Sequence, residues 1–326
     1  MQIKKVLNET LPNLAGYYKL VRQKRNIRKS IRFPASLDES DYPAYLQHYY
    51  ETRTGHQLNL EKPERFTEKV QWRKLYDRNE IYTLLSDKFR VREWVANKIG
   101  SEYLVPILGC WNHFSEIDFD ALPNQFVLKT NNGCHANIIV KDKKQFLRGK
   151  WAAGKTMEYW MTSPWYFYGL EFHYKGIKPM IIAEEYLQPE KGKKCLTDYK
   201  FHCFNGIPLM CEVIGDRTTT EVVDYFDMDW NQIPLRNPPF PQSNDTKPVP
   251  NHYADMVQLA RKLSQGFQYV RVDLYSTDKV YFGEMTFTPA SGIDKYDPDE
   301  WDYHMGELWD INAVQINRSV VMDEVD

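Results

Sequence analysis

Apolar positions between residues 36 and 125 recur at helical spacing. The run Phe66-Thr67-Glu68-Lys69-Val70-Gln71-Trp72 continues through Ile81, Leu84, Leu85, Phe89, Trp94, Val95 and Ile99, and Gly100 stands where such a helix would end. Ser86-Asp87 can cap a fresh start within it. Lys88 then falls in a first turn, where the helix dipole disfavours a cation, and the misplacement hints at another task. From Phe126 the texture changes to short runs of strand type: Phe126-Val127-Leu128-Lys129, Asn137-Ile138-Ile139-Val140 and Met180 to Leu187. Tyr199 to Phe204 and Pro208 to Ile214 flank Asn205-Gly206, the strongest short hairpin signal. A helix from about His252 to Ser264 leads through Gly266 to a second pair, Val270 to Tyr275 and Val280 to Phe287, joined by Ser276-Thr277-Asp278-Lys279. Strand pairs with intervening helices predict an α+β fold rather than a doubly wound α/β sheet.

A chain of 326 residues with 42% hydrophobic and 26% charged positions can bury a sizeable core. No stretch approaches the roughly 20 apolar residues of a membrane span, and the N-terminus lacks the apolar core of a signal peptide, so a cytoplasmic location is expected. The five cysteines, Cys110, Cys134, Cys195, Cys203 and Cys211, form no close CxxC pair and read as reduced thiols. Charge is uneven. Residues 1–32 hold nine lysines and arginines against Glu9 alone, a net of +8, which leaves −10 for the remainder. With Ile3, Val6, Leu7 and Leu11 at helical spacing, the expectation is a basic amphipathic segment making peripheral contact with the inner face of a membrane. Its bland alternative is a solvated helix packed on its own domain. Nucleic acid is not expected, because the rest of the chain is acidic.

Three segments could carry chemistry. Alternation places Arg271 and Asp273 on one face of their strand, and Glu284 and Thr286 on one face of the next. In a hairpin Asp273 and Glu284 converge, a pairing that a hard divalent cation would neutralise, while Arg271 suits a phosphoryl oxygen. The alternative is an exposed strand face with a salt bridge. Lys129 ends a strand before the small-residue loop Thr130-Asn131-Asn132-Gly133-Cys134-His135-Ala136, a sensible phosphate cradle. Ile181-Ile182-Ala183-Glu184-Glu185-Tyr186-Leu187 sets paired acids in an apolar run that could meet an adenine edge, or be a plain edge strand.

In this order the segments resemble the ATP-grasp superfamily, and more closely its TupA-like branch, associated with teichuronopeptide and capsular polysaccharide synthesis. The resemblance runs from about Leu58 to Trp309. It is carried by Trp72-Arg73-Lys74-Leu75-Tyr76-Asp77-Arg78-Asn79, Asp87-Lys88, Gln125 to Asn131, Ile182 to Leu187, Thr197-Asp198-Tyr199-Lys200-Phe201, Phe226-Asp227-Met228-Asp229-Trp230, Val270 to Tyr275 and Pro289-Ala290-Ser291-Gly292. It implies two α+β subdomains clamping ATP, at 126–190 and 191–295. Before them come a basic segment, 1–35, and a mainly helical region, 36–125; a C-terminal segment, 296–326, follows. It also implies that Lys88 and Lys129 hold the α and β phosphates, with Gly133, Cys134, His135 and Ala136 closing over them. Glu184 would accept from the adenine amino group, while the backbone of Glu185, Tyr186 and Leu187 reads the rest of its edge. Lys200 and Arg217 would contact the γ-phosphate or an acceptor carboxylate, Arg271 the transferring phosphoryl group, and Asp273, Glu284 and Thr286 would hold Mg²⁺, with Mn²⁺ as the alternative ion. Thr286 stands where the wider superfamily usually has Asn, and Asn132-Gly133-Cys134-His135 replaces a His-Gly-Ser-Gly-like run.

The implied reaction is carboxylate–amine ligation through an acyl phosphate, joining an amino acid to a uronic-acid-containing polysaccharide or a lipid-linked glycan precursor. Its rivals are a kinase acting on a sugar acceptor, a glycosyltransferase using the DxD at Asp227 and Asp229, and a degenerate nucleotide-binding scaffold. His173, His202, His252 and His304 lack metal-site spacing and read as structural. The aromatic run Trp160 to Tyr168 reads as packing between helices rather than a sugar platform.

Overall fold

The computed structural model describes residues 11–134, 136–215, 220–238, 240–243 and 247–313. Ile3, Val6, Leu7, His135 and Arg217, each singled out from the sequence, lie outside the described residues. In chain order the helices are α1 (Pro12–Arg32), α2 (Tyr42–Thr54), α3 (Phe66–Tyr76), α4 (Glu80–Ser86), α5 (Val91–Ile99), α6 (Lys143–Arg148), α7 (Lys150–Thr162), α8 (Tyr253–Ser264) and α9 (Glu300–Glu307). The strands are β1 (Ile107–Trp111), β2 (Phe126–Thr130), β3 (Asn137–Val140), β4 (Ile181–Glu185), β5 (Asp198–Phe204), β6 (Ile207–Gly215), β7 (Val222–Phe226), β8 (Tyr269–Ser276) and β9 (Val280–Thr286). Helices and antiparallel sheets make the fold α+β, as the alternation of patterns predicts.

The chain forms two compact units. One takes residues up to Glu39, Asp87–Phe89 and Val105–Tyr186; the other takes Ser40–Ser86, Arg90–Leu104 and everything from Leu187. Both are discontinuous in sequence, where a reading along the chain draws contiguous segments. The first unit holds a four-stranded sheet in the order β1-β4-β2-β3. Its core joins Phe126, Leu128 and Ile181 to Met157 and Trp160 of α7, so the aromatic run begins as core packing, against the sheet rather than between helices. The second holds a five-stranded sheet in the order β7-β6-β5-β8-β9. One of its faces is apolar: Tyr199, Phe201, Cys203, Cys211, Val213, Val270, Val272 and Leu274 pack with Met256, Leu259, Ala260 and Leu263 of α8 and with Trp94 and Val95 of α5.

The hairpin at Asn205-Gly206 forms as predicted, with φ of 52° and 76° at the two residues, the left-handed pair that a tight β-turn requires. Two expectations change. The long helical run is broken at residues 87–90, so Lys88 lies in a turn rather than in a helix's first turn. Asp87 does not cap a helix: its Oδ1 accepts the Phe89 N–H (2.9 Å) and the Asn131 side-chain amide (2.9 Å). β1 and β7 were not predicted. Both are five-residue edge strands, too short for alternation to separate from loop.

Candidate active site

In the first unit, the turn at Lys88 and the loop after β2 are tied through Asn131. This buried side chain donates to the Asp87 carboxylate (2.9 Å) and the Lys178 carbonyl (3.0 Å) and accepts the Met180 N–H (2.8 Å). The Lys88 N–H donates to the Asn131 carbonyl (3.3 Å) and its ammonium to the Gly133 carbonyl (2.8 Å). A lysine 45 residues away in sequence is thereby placed on the small-residue loop. Gly133 also lies under the Trp165 ring, where a Cβ would sit 3.4 Å from it. Of the other predicted loop residues, Cys134 is exposed and Ala136 is buried.

Lys129 of β2 and Glu184 of β4 form an ion pair, with Glu184 buried. The carboxylate expected to face adenine is thus also the counter-ion of a lysine expected to hold phosphate. The Glu185 N–H donates to the Pro106 carbonyl (3.0 Å), so of the backbone donors expected to read the adenine edge, this one is already engaged.

In the second unit, the sheet face opposite the apolar core carries the charge. Register aligns Glu212 of β6 with Lys200 of β5, Lys200 with Asp273 of β8, and Asp273 with Glu284 of β9. The next row aligns His202, Arg271 and Thr286. Two β-bulges produce this arrangement. The β8–β9 pairing slips between Asp273 and Leu274, so that Phe282 pairs with Leu274 but Glu284 with Asp273, leaving Gly283 as the extra residue. Without it, Glu284 would pair with Val272 and point into the core. A Cβ at Gly283 would lie 2.8 Å from the Asp273 carbonyl oxygen, which is why glycine stands there. The β5–β6 pairing slips likewise between His202 and Cys203, with Leu209 extra, and turns Glu212 from Tyr199's side to that of Lys200.

Arg271 holds Asp273 in a two-pronged pair, Nε to Oδ1 and Nη2 to Oδ2, both 2.8 Å, and donates to the Thr286 hydroxyl (3.3 Å). That hydroxyl donates to Glu284 Oε1 (3.0 Å). Lys200 lies 3.9 Å from Asp273 Oδ2. Burial alone would lower the Arg271 pKa, but Asp273, Glu212 and Glu284 raise it well above the usual value. Burial likewise opposes charge on Glu212, yet Lys200, then His202 and Arg271, hold its carboxyl well below the ordinary range. His202 is buried between Glu212 Oε2 (3.4 Å) and the Tyr269 hydroxyl (3.0 Å), and burial depresses its pKa in spite of the Glu212 bond. Asp294, which accepts from the Asn237 amide (3.0 Å), is pushed up to about 6 by burial and then by the charge of Glu212.

Glu212, His202 and Asp294 were not predicted at this site. Glu212 is a lone acid in an apolar run, and only the bulged register shows where it points. Asp273, Glu284 and Thr286 offer oxygen donors alone, which fits a hard divalent ion. Among the described residues no three His, Cys, Asp or Glu side chains gather as a metal cage. Two carboxylates suit Mg²⁺, which keeps several waters and takes phosphate oxygens for the rest. The DxD forms a turn, which the sequence reading expects of it. Asp227 Oδ1 accepts the Asp229 and Asn231 N–H groups (3.0 and 2.8 Å), and Oδ2 accepts the Asn231 amide (2.9 Å), closing a turn at the end of β7.

A strand lysine beside a small-residue loop, an acidic hinge strand and an Arg-x-Asp strand bulged against a Glu strand define an ATP-grasp protein. The family model described as TupA-like ATP-grasp matches residues 68–310, and the chain belongs to that family. Among solved structures it is similar to D-alanine–D-alanine ligase from Bacillus anthracis complexed with ATP, at 14% identity over 63% of this chain and 55% of that one, with a TM-score of 0.36. It is also similar to the ATP-grasp ligase PsnB complexed with minimal precursor, Mg and ADP (10% identity, 68% and 53% covered, TM-score 0.34). A third is the macrocyclase MdnC bound with precursor peptide MdnA from Microcystis aeruginosa MRC (12% identity, 72% and 63% covered, TM-score 0.33). The chain spans little more than half the length of the first two. Curated proteins gave no match.

Proposed function

We propose that the protein is a cytoplasmic ATP- and Mg²⁺-dependent carboxylate–amine ligase that joins an amino acid to the uronic-acid carboxylate of a surface polysaccharide or its lipid-linked precursor. The observation that carries the reading is the pair of bulged hairpins. They bring Lys200, Arg271, Asp273 and Glu284 to one sheet face, the charges a phosphoryl transfer requires. Membership of the ATP-grasp family supports it.

Lys88, Lys129 and the loop at Gly133 to Ala136 hold the α and β phosphates. Glu184 accepts from the adenine amino group; with the Glu185 N–H bound to Pro106, the donor to the adenine edge is the Leu187 N–H. Asp273, Glu284 and Thr286 hold the metal, which when bound neutralises phosphate charge. Arg271 exchanges its Asp273 contact for the transferring phosphoryl group, and Lys200, with Arg217, orients the acceptor carboxylate. A carboxylate oxygen takes the γ-phosphoryl group and ADP leaves. The amine then attacks the acyl carbon, phosphate leaves, and the amine nitrogen gives up a proton to solvent. Positioning and charge neutralisation supply most of the acceleration.

The test follows ADP release by the purified protein with ATP and Mg²⁺ against amino acids and uronic-acid glycans. ADP formation that needs both acceptors is expected, with Glu284→Gln and Lys129→Ala each lowering kcat/KM by on the order of 10²-fold or more. ADP release with glycan alone would make the protein a kinase. UDP-sugar cleavage without ATP would sink the ligase reading.

A further inference from the structure

α1 is fixed on the first unit by one face. Asn13 Oδ1 accepts the Ala152 N–H of α7 (3.2 Å), and Gly16 approaches Ala152 so closely that a Cβ on it would lie 2.7 Å from the alanine's. Leu20 is buried, and the Lys24 ammonium sits 4.9 Å from the centre of the Tyr159 ring. Positions 13, 16, 20 and 24 follow the three-and-four spacing of a single helix face. The opposite face is thereby turned outward, and it has two halves. Leu11, Leu14, Tyr18 and Val21 stand along it with 52, 58, 71 and 47% of their surfaces exposed. One turn further on, the same stripe continues as Arg25, Arg28, Lys29 and Arg32, all exposed, and closes on the exposed Phe33.

Cations at a helix C-terminus are favoured by the dipole, but that does not account for a row of uncovered large apolar side chains leading up to them. We infer that this outward stripe of α1 docks on an anionic lipid bilayer. The apolar half enters the headgroup boundary with Tyr18 at the interface, and the cationic half pairs with lipid phosphates. Charge decides the occupant. From Leu11 to Leu37 the chain carries seven cations and no acid, so a second copy docked stripe on stripe would bring like charges together along the seam. A polyanion such as nucleic acid would leave the apolar half uncovered. The stripe lies C-terminal to the Ile3–Leu7 pattern, and its docking does not depend on the ligase chemistry.

The experiment is flotation of the full-length protein with vesicles of phosphatidylcholine alone or mixed with phosphatidylglycerol, at low and high salt. Expected are capture by the anionic vesicles only, weakening as salt rises, and at least tenfold weaker capture in Leu14→Ser/Tyr18→Ser and in Arg25→Gln/Arg28→Gln/Lys29→Gln. Melting temperature and ATP turnover of both variants should match wild type. Absence of capture by anionic vesicles overturns the proposal. So does undiminished capture of Leu14→Ser/Tyr18→Ser, which would mark a general polyanion site, or a concentration-dependent dimer that this variant abolishes.

Discussion

Asn131 joins three stretches of chain with one side chain, and its loss should be felt in two measurements. Asn131→Ala removes the bonds to Asp87, Lys178 and Met180, at a cost of about 1–3 kcal/mol in chemical denaturation. Because Lys88 is positioned through the same residue, KM for ATP should rise several-fold more than kcat falls. Asp294 offers a test in pH. Its raised pKa means that the folded chain holds the proton more tightly than the unfolded one, so stability falls as pH rises from about 4 to about 6. Asp294→Asn should therefore stabilise the protein at pH 7 by about 1–2 kcal/mol, discounted for partial exposure, and by nothing at pH 4. His202, whose pKa is lowered, acts with the opposite sign, gaining stability as pH rises toward its unfolded value of about 6.5. The difference between variant and wild type isolates Asp294, and thermal melts across pH 4–8 measure it. Lys88 stood out in the sequence as a cation expected in a helix's first turn; that turn is not helical, and what sets Lys88 beside the Gly133 loop is the long-range bonding of Asn131, which no local pattern reveals.

At the scale of elements, turns and paired strands were legible and register was not. Asn205-Gly206 fixes a two-residue turn, and counting back from it pairs Lys200 with Cys211; the bulge at Leu209 makes the partner Glu212 instead. Counting along β9 from Val280 and Phe282, both in the core, would send Glu284 inward as well. The convergence of Asp273 and Glu284 was correctly expected, but its cause is Gly283, which period-two reasoning does not weigh. Gly283→Ala should cost about 1–3 kcal/mol from the forced contact with the Asp273 carbonyl. It should also weaken Mg²⁺ binding more than ATP binding, read by titrating each in equilibrium dialysis. Were both affinities unchanged, the bulge would have no part in placing Glu284.

For the whole molecule, the order of motifs announced the family before any geometry was known, while the two units could not be drawn. Segments 40–86 and 90–104 join the second unit, and 87–89 the first, and no composition shift marks those crossings. Arg73 and Lys74, noticed only within the signature Trp72 to Asn79, turn out with Gln71 to brace the second sheet. Arg73 donates to the Tyr269 and Phe287 carbonyls (3.0 and 3.1 Å), at the start of β8 and just past β9. Gln71 and Lys74 hold the carbonyls of Ser291 and Gly292 at 2.7–2.9 Å.

Those last bonds bear on the order in which the protein folds. Ala290, Ser291 and Gly292 are consecutive residues with φ of 45°, 55° and 64°, a run that two side-chain-bearing residues would not adopt unaided. What stabilises it comes from α3, 217 to 221 residues earlier in the chain. Loop closure over such a distance is a late event, whereas the β5–β6 and β8–β9 hairpins close locally. In refolding from denaturant, burial of Trp230, which packs on Phe226 and Tyr253, should therefore precede recovery of nucleotide binding. Lys74→Met should lengthen that interval, as stopped-flow tryptophan fluorescence set against a fluorescent ATP analogue would measure. The carboxylate of β9, Glu284, would then reach its working position only as the two distant parts of the chain meet.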